Sequence, residues 1–255
     1  AHSYEPSPKD IQAIGKSDLF VYTGGDSDEW VDGMLSSIDK SKLKTLKMMD
    51  TVKLYEEEMS EGMQEEEHEH HHDDKDHHDE DKDHHHDEDK EHHHDDKTSH
   101  DKEHHHDDKE HHHHDGEEGP EMDEHVWTSP ANAIQIVKAL TETISGLDKD
   151  NAQTYQKNAE AYIAKLEKLD KDFHDVIDHA KRKEIIVGDR FPFLYFAKEF
   201  GLTYYAAFPG CSTDTEANPA TIAFLVDKVK EDHIPVVFHI EMSNEQMSKA
   251  IAEAT

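Results

Sequence analysis

Cysteine, positive charge and long apolar runs are all scarce in this chain. One cysteine, Cys211, stands in 255 residues. That excludes an internal disulfide framework and any zinc module built from several thiolates. No apolar run approaches the roughly 18 residues that a membrane-spanning helix requires. Lys and Arg number 27 against 61 Asp and Glu, a formal charge of −34, which repels phosphate backbones and argues against nucleic-acid binding. The sequence opens Ala-His-Ser-Tyr with neither a starting Met nor a signal peptide, and stops at Ala254-Thr255 inside a helical pattern. The expectation is a fragment or a processed piece, so the missing targeting segment says nothing of compartment.

What is present is unevenly placed. Between Glu56 and Glu124 stand 32 acids, six lysines and 20 of the 26 histidines. That window holds −26 of the charge and accounts for the low apolar content of 33%. The remainder has aliphatic and aromatic residues enough for one or two ordinary cores. From Asp73 the unit is Asp/Glu-Lys-x-His-His-His, with lysines about seven apart. No apolar residue occupies a repeat position, so it is not a coiled coil. Residues 56–120 are therefore expected to be a disordered insert in the absence of metal.

Around the insert the pattern is regular. Ser7-Pro8-Lys9-Asp10 is a helix start with a reciprocal cap, and Asp18–Thr23 reads as a strand closed by Gly24-Gly25. A helix from Glu29 to Ile38 and a strand at Thr45–Met49 follow. After the insert, Ser129-Pro130 starts a helix to about Ser145, punctuated by Gly146. Asp148 opens a longer helix to about Lys181, with an apolar stripe through Tyr155, Tyr162, Leu166, Phe173 and Ile177. Strands at Glu184–Gly188, Leu202–Phe208 and Ile234–Ile240 then alternate with helices at Pro192–Phe200, Pro219–Lys230 and Asn244–Ala254. Alternation of this kind indicates parallel sheets covered on both faces, with ligands at the carboxyl ends of strands. The predicted fold class is α/β. An N-terminal α/β region at 1–145 carries the insert, a linking helix spans 148–182, and a second α/β region occupies 183–255.

The chemistry concentrates in histidine. Imidazole suits zinc, copper and nickel, and flanking carboxylates add oxygen ligands and a negative field. The tract offers an auxiliary low-affinity metal loop from His70, His71 and His72; His84, His85 and His86; His92, His93 and His94; His104, His105 and His106; and His111, His112, His113 and His114. With no fixed geometry it binds many divalent metals with little choice, and protonation near pH 6.5 expels them. The bland alternative is a solubilising acidic linker, which does not need His triplets. His2 and His125 are sharper candidates, because each precedes a capped helix and together they flank the loop. Asp189 and Glu241 sit at loop positions beside predicted elements. His174 and His179, five apart on the long helix, read as solvated; His233 ends a helix and His239 belongs to a strand at core or edge. Cys211 reads as a small buried residue, with a soft metal ligand or half of a disulfide as alternatives.

His2-Ser-Tyr-Glu-Pro-Ser-Pro-Lys-Asp10, Ser17-Asp-Leu-Phe-Val-Tyr-Thr-Gly24 and Asp123-Glu-His-Val-Trp-Thr-Ser-Pro-Ala-Asn132 together resemble the zinc/manganese solute-binding lipoproteins of ABC importers. The His-rich loop resembles that of the zinc-type branch. The resemblance covers the chain apart from the loop and implies two α/β lobes with parallel sheets, joined by one long helix, with metal in the cleft between them. It places His2 and His125 as the first and second metal ligands. The third family ligand, His or Glu, is expected within Val187-Gly-Asp-Arg-Phe-Pro-Phe-Leu-Tyr-Phe196, where Arg190 stands instead. A guanidinium cannot coordinate a cation, so Asp189 is the substitute considered there. The Gly-Asp-Arg-Phe-Pro-Phe version, with Phe208–Glu216 downstream, resembles a sub-branch from Gram-positive bacteria. The fourth ligand is expected beyond Thr255.

The resemblance thus implies an extracytoplasmic subunit, cell-surface lipoprotein or periplasmic, that captures Zn²⁺ for a permease and its ATPase. It is expected to be a monomer, to touch the membrane only through a lipid anchor or the permease, and not to be an enzyme. Nitrogen ligands favour Zn²⁺ over Mn²⁺. The rival readings are a metal-buffering or adhesin-type surface protein of the same fold, with Mn²⁺ use, and a metal-dependent hydrolase with an open zinc position. No nucleophile elbow, phosphate loop or His-Glu-x-x-His helix supports catalysis.

Overall fold

A computed structural model describes residues 4–39, 41–63, 120–212, 217–241 and 243–255. Helix α1 (Pro8–Ile14) begins as its sequence requires. Asp10 N–H donates to Ser7 Oγ at 3.3 Å while Ser7 N–H donates to Asp10 Oδ2 at 2.9 Å. Strand β1 (Leu19–Tyr22) pairs in parallel with β2 (Lys44–Lys47), from Leu19 opposite Lys44 to Tyr22 opposite Lys47. The crossover between them runs through a 3₁₀ turn at Asp26–Asp28 and α2 (Trp30–Ser37), whose Val31 and Met34 are buried. Chain that was expected to stay extended to Met49 instead turns into a 3₁₀ helix at Met48–Thr51.

Ser129 caps α3 (Pro130–Leu147) by accepting Asn132 N–H at 3.1 Å. The helix runs through Gly146, where a break was expected. An added Cβ there meets nothing within 4 Å, so the glycine faces open space and forces no turn. Asp148 then caps a short 3₁₀ turn at Lys149–Asn151, and its carboxylate also accepts Tyr155 O–H at 2.7 Å. The long helix α4 (Ala152–Asp178) follows. At 27 residues and 1.5 Å rise per residue it is about 40 Å long.

Beyond α4 lies a three-stranded sheet ordered β4-β3-β5, all parallel. It is built from β3 (Glu184–Phe191), β4 (Thr203–Pro209) and β5 (Val237–Phe238), with α5 (Leu194–Phe200), α6 (Pro219–Glu231) and α7 (Gln246–Glu253) between and after them. The period of two divides its faces. Ile186, Tyr205 and Ala207 pack with Leu225, Val229 and Ile251 on one side, and Val187 and Ala206 with Phe191 and Ala197 on the other. The last predicted strand, Ile234–Ile240, shrinks to two paired residues. Ile234 N–H turns back to Val229 O at 3.0 Å, His233 takes a left-handed φ of 52°, and Pro235 has no N–H to give a ladder.

Two local features aim the end of β3. Its pairing with β4 slips between Val187 and Arg190, a bulge at Gly188-Asp189. Bulges of this kind re-aim neighbouring side chains. At Gly188 an added Cβ would lie 2.6 Å from Ser248 Cα, so only glycine lets α7 rest against the strand. The parallel sheets and the long linking helix agree with the predicted α/β class. No helix among the described residues is long and apolar enough to cross a membrane.

Candidate metal centre

Residues 56–63 and 120, at the edges of the expected insert, are among the described residues, and backbone pairing ties Glu56 and Glu57 to the chain that follows it. Glu56 bridges Met122 in antiparallel fashion, Glu57 N–H donates to Glu121 O at 2.8 Å, and Asp123 N–H donates to Tyr55 O at 3.0 Å. Backbone pairing thus orders a segment too acidic to do so by burial. Tyr195 on α5 locks the pair from beneath: its hydroxyl donates to Asp123 O at 2.8 Å and accepts Tyr55 N–H at 3.3 Å. Burial pushes the Tyr195 hydroxyl up to about 12, so it remains a neutral donor at physiological pH.

His125 follows directly and is buried, at 7% exposure. Its backbone N–H donates to Asp123 Oδ1 at 2.8 Å, and the same oxygen lies 3.2 Å from ring Nδ1. A carboxylate can only accept, so this contact selects the tautomer protonated at Nδ1 and gives Nε2 the lone pair. The His125 carbonyl accepts Thr128 Oγ1 at 2.8 Å, and the Trp127 ring lies 5.7 Å from the imidazole. The side chain is therefore fixed by its own turn and by Asp123.

The loop after β4 brings Cys211 to the same place. Asp123, His125 and Cys211 offer ligand atoms that lie within 4.8 Å of one another, and Glu57, Glu121 and Cys211 form a second such group. Cys211 N–H donates to Glu57 Oε1 at 2.6 Å. Gly210 makes the approach possible, since a Cβ there would stand 3.1 Å from Asp123 Oδ2 and 3.3 Å from His125 Nδ1. Burial raises the Cys211 thiol well above its ordinary value, and the charges of Glu57, Asp123 and Glu124 add to the effect. Glu121 is raised too, by burial and then by Glu57, Asp26, Glu124 and Asp123. Glu124 is itself buried and accepts Ser27 N–H at 2.7 Å. The carboxylates gathered around Glu121 make a negative field that a cation would relieve.

Among the sequence candidates, His125 stands in this cluster, whereas His2 and all the loop histidines from His70 to His114 lie outside the described residues. Asp189 is buried and its Oδ1 accepts Arg190 N–H at 2.8 Å. It joins neither metal-ligating group among the described residues and instead lines a hollow with Arg190, Phe208, Asn244, Glu245 and Met247. His174, exposed on α4, lies 3.8 Å from Asp170, and His179 Nδ1 contacts Asp175 O at 2.7 Å. His239 is exposed just past the edge strand β5, and Glu241 is exposed in the loop after it. Cys211 is only half-buried, and the structure sets it beside His125 rather than in a core. Sequence reasoning missed Glu57, Glu121 and Asp123. Only the position of Cys211 just past a predicted strand carried a signal, through the rule that ligands gather at carboxyl ends. A separate cavity of about 620 Å³ is walled by Leu166, Phe173, Phe191 and Phe238. Its lining is too apolar for a cation.

A sequence profile described as zinc-uptake complex component A, periplasmic (ZnuA), matches residues 1–255. The chain belongs to the ZnuA family. It is 30% identical over 254 residues to the zinc-binding lipoprotein AdcA of Streptococcus pneumoniae (strain ATCC BAA-255 / R6), a match covering 99% of this chain and 41% of that protein. It is 32% identical over 251 residues to the high-affinity zinc uptake system protein ZnuA of Bacillus subtilis (strain 168), covering 98% of this chain and 64% of the other. Among solved structures, the Zn(II)-bound ZnuA-like domain of S. pneumoniae AdcA superposes with a TM-score of 0.63 at 26% identity, over 99% of this chain and 71% of that one. The metal-dependent lipoprotein YcdH of B. subtilis gives 0.65 at 27%, with the same coverage. This ZnuA-family chain spans 41% to 64% of the length of these sequence relatives.

Proposed function

We propose that the protein is the extracytoplasmic solute-binding subunit of a zinc ABC importer, which captures Zn²⁺ at His125 and delivers it to a permease driven by an ATPase. The observation that carries this is the match to the zinc-uptake family over the whole chain, with His125 sitting in a cluster of metal-ligating groups. Zinc is the cargo, bound and released without chemical change, so the protein is not an enzyme. His2 is the expected partner of His125 across the cleft, and regions 1–145 and 183–255 are the two lobes that α4 links. Asp189 remains a sequence-based candidate for the third position. The His-rich loop serves as a low-selectivity collector whose negative field raises the local metal concentration. The protein is held outside the cytoplasm by a lipid anchor or a periplasm and works as a monomer.

Calorimetry on the metal-stripped protein tests this reading. One tight zinc site is expected, surviving deletion of residues 65–116 and lost in His125→Ala. If zinc binds only at several loose sites that all vanish with the loop, the importer reading fails.

A further inference from the structure

We propose that the Cys211 thiolate is a direct metal ligand of the His125 site, and that Arg190 positions it. The inference rests on the zinc-capture reading and names a ligand for it. Arg190 occupies the place where the family resemblance puts a coordinating side chain, yet a guanidinium has no lone pair to offer. The site therefore needs a donor from elsewhere, and Cys211 is the residue whose ligand atom lies within 4.8 Å of those of both His125 and Asp123. Ligand atoms around a tetrahedral zinc ion stand about 3.5 Å apart, given bonds of 2.0–2.3 Å, so a modest inward rotation closes the group on an ion.

Arg190 has a different task. Its Nε donates to Ser212 O, the carbonyl next to Cys211, and its guanidinium lies over the Phe208 ring with the carbon 5.9 Å from the centroid. Glu57 holds the other side of the loop by accepting Cys211 N–H at 2.6 Å. The thiol is thus carried on a backbone clamped at two successive residues, the support that a preformed ligand needs. Gly210 keeps a Cβ out of the space beside Asp123 Oδ2 and His125 Nδ1. Cys211 also belongs to the more exposed group with Glu57 and Glu121, which gives incoming metal an acidic approach to the sulfur. On binding, the sulfur–zinc bond forms as the thiol proton leaves to solvent. A thiolate in place of an oxygen ligand turns the site towards zinc and cadmium and away from manganese.

Cobalt(II) titrated into the metal-stripped 255-residue chain tests the proposal. Thiolate coordination gives an intense near-ultraviolet charge-transfer band, and these 255 residues hold no other cysteine to produce it. The expected result is a band that saturates at one equivalent, disappears when zinc displaces the cobalt, and is missing in Cys211→Ser. Zinc binding in that variant weakens at least tenfold, while Cys211→His restores affinity without the band. In Arg190→Ala the band persists but the affinity falls about tenfold, the order seen when a residue that orients a ligand is lost. A tight, His125-dependent cobalt complex with no thiolate band overturns the assignment of Cys211 and leaves zinc capture standing. If neither metal binds tightly, both fall together. The wild-type spectrum decides the point even if a variant folds poorly.

Discussion

Tyr195 shows how one side chain can hold a site it does not belong to. Its ring is 1% exposed against Tyr55, and its hydroxyl ties the backbone of Tyr55 to that of Asp123, two segments separated by the whole acidic insert. Removing that oxygen in Tyr195→Phe leaves Tyr55 N–H without this partner and Asp123 O without its donor. Buried groups stranded in this way cost about 1–3 kcal/mol. The same hydroxyl predicts an alkaline limb. Its folded value of about 12 stands above the ordinary 10. The stability it contributes is therefore complete below pH 10 and is lost as the pH rises from 10 towards 12. Urea midpoints measured at pH 9 and pH 11.5 should fall more steeply for the wild-type protein than for Tyr195→Phe. Parallel slopes would show that Tyr195 is not the group responsible.

At the level of elements, the end of β3 depends on how α7 seats. Gly188 is the contact point, with Ser248 Cα and N where a methyl group would go. Gly188→Ala must push α7 from the sheet or twist β3, and overpacking of this kind costs about 1–3 kcal/mol. Because Asp189 and Arg190 follow directly along β3, the displacement passes to the Arg190–Ser212 contact. The expected outcome is a lower melting temperature together with weaker zinc binding, whereas a purely packing defect would lower only the first. Melting curves and calorimetry on the one variant separate the two. This junction also marks where the sequence stops being legible. The caps at Ser7 and Ser129 were readable because a cap is chemistry within four residues, and both appear as expected. The parallel pairing followed from alternation of strand and helix. Cys211 could not be placed, because its neighbours Glu57 and Asp123 come from distant segments joined by an antiparallel bridge. The short β5 was missed because an apolar run gives no warning of where its backbone hydrogen bonds go. The insert edge was misplaced because composition is blind to backbone pairing.

For the whole molecule, the acidic insert and the candidate metal centre divide the electrostatic load. Residues 65–116 contain 23 acids and six lysines, so they hold half of the formal charge of −34. Charge of one sign in that amount repels itself and is relieved by salt or by cations. Deleting the segment should therefore make the melting temperature of the metal-free protein less sensitive to sodium chloride between 20 and 500 mM, conditions chosen to span strong and weak screening. Stabilisation by zinc should behave differently. A ligand that binds only the folded state adds about 2.7 kcal/mol at a hundred times its dissociation constant, whatever the rest of the chain carries. If the tight site is built by His125 and its neighbours, the zinc-induced rise in melting temperature survives the deletion nearly unchanged, while the salt response shrinks. The two responses are separable because the screening acts on exposed charge over about 10 Å at 0.1 M salt, whereas His125 and Asp123 are buried and in contact. Differential scanning calorimetry of both forms, with and without zinc at each salt concentration, reads both at once. A zinc-induced rise that disappears with residues 65–116 would assign the stabilising metal to the insert and not to the folded core.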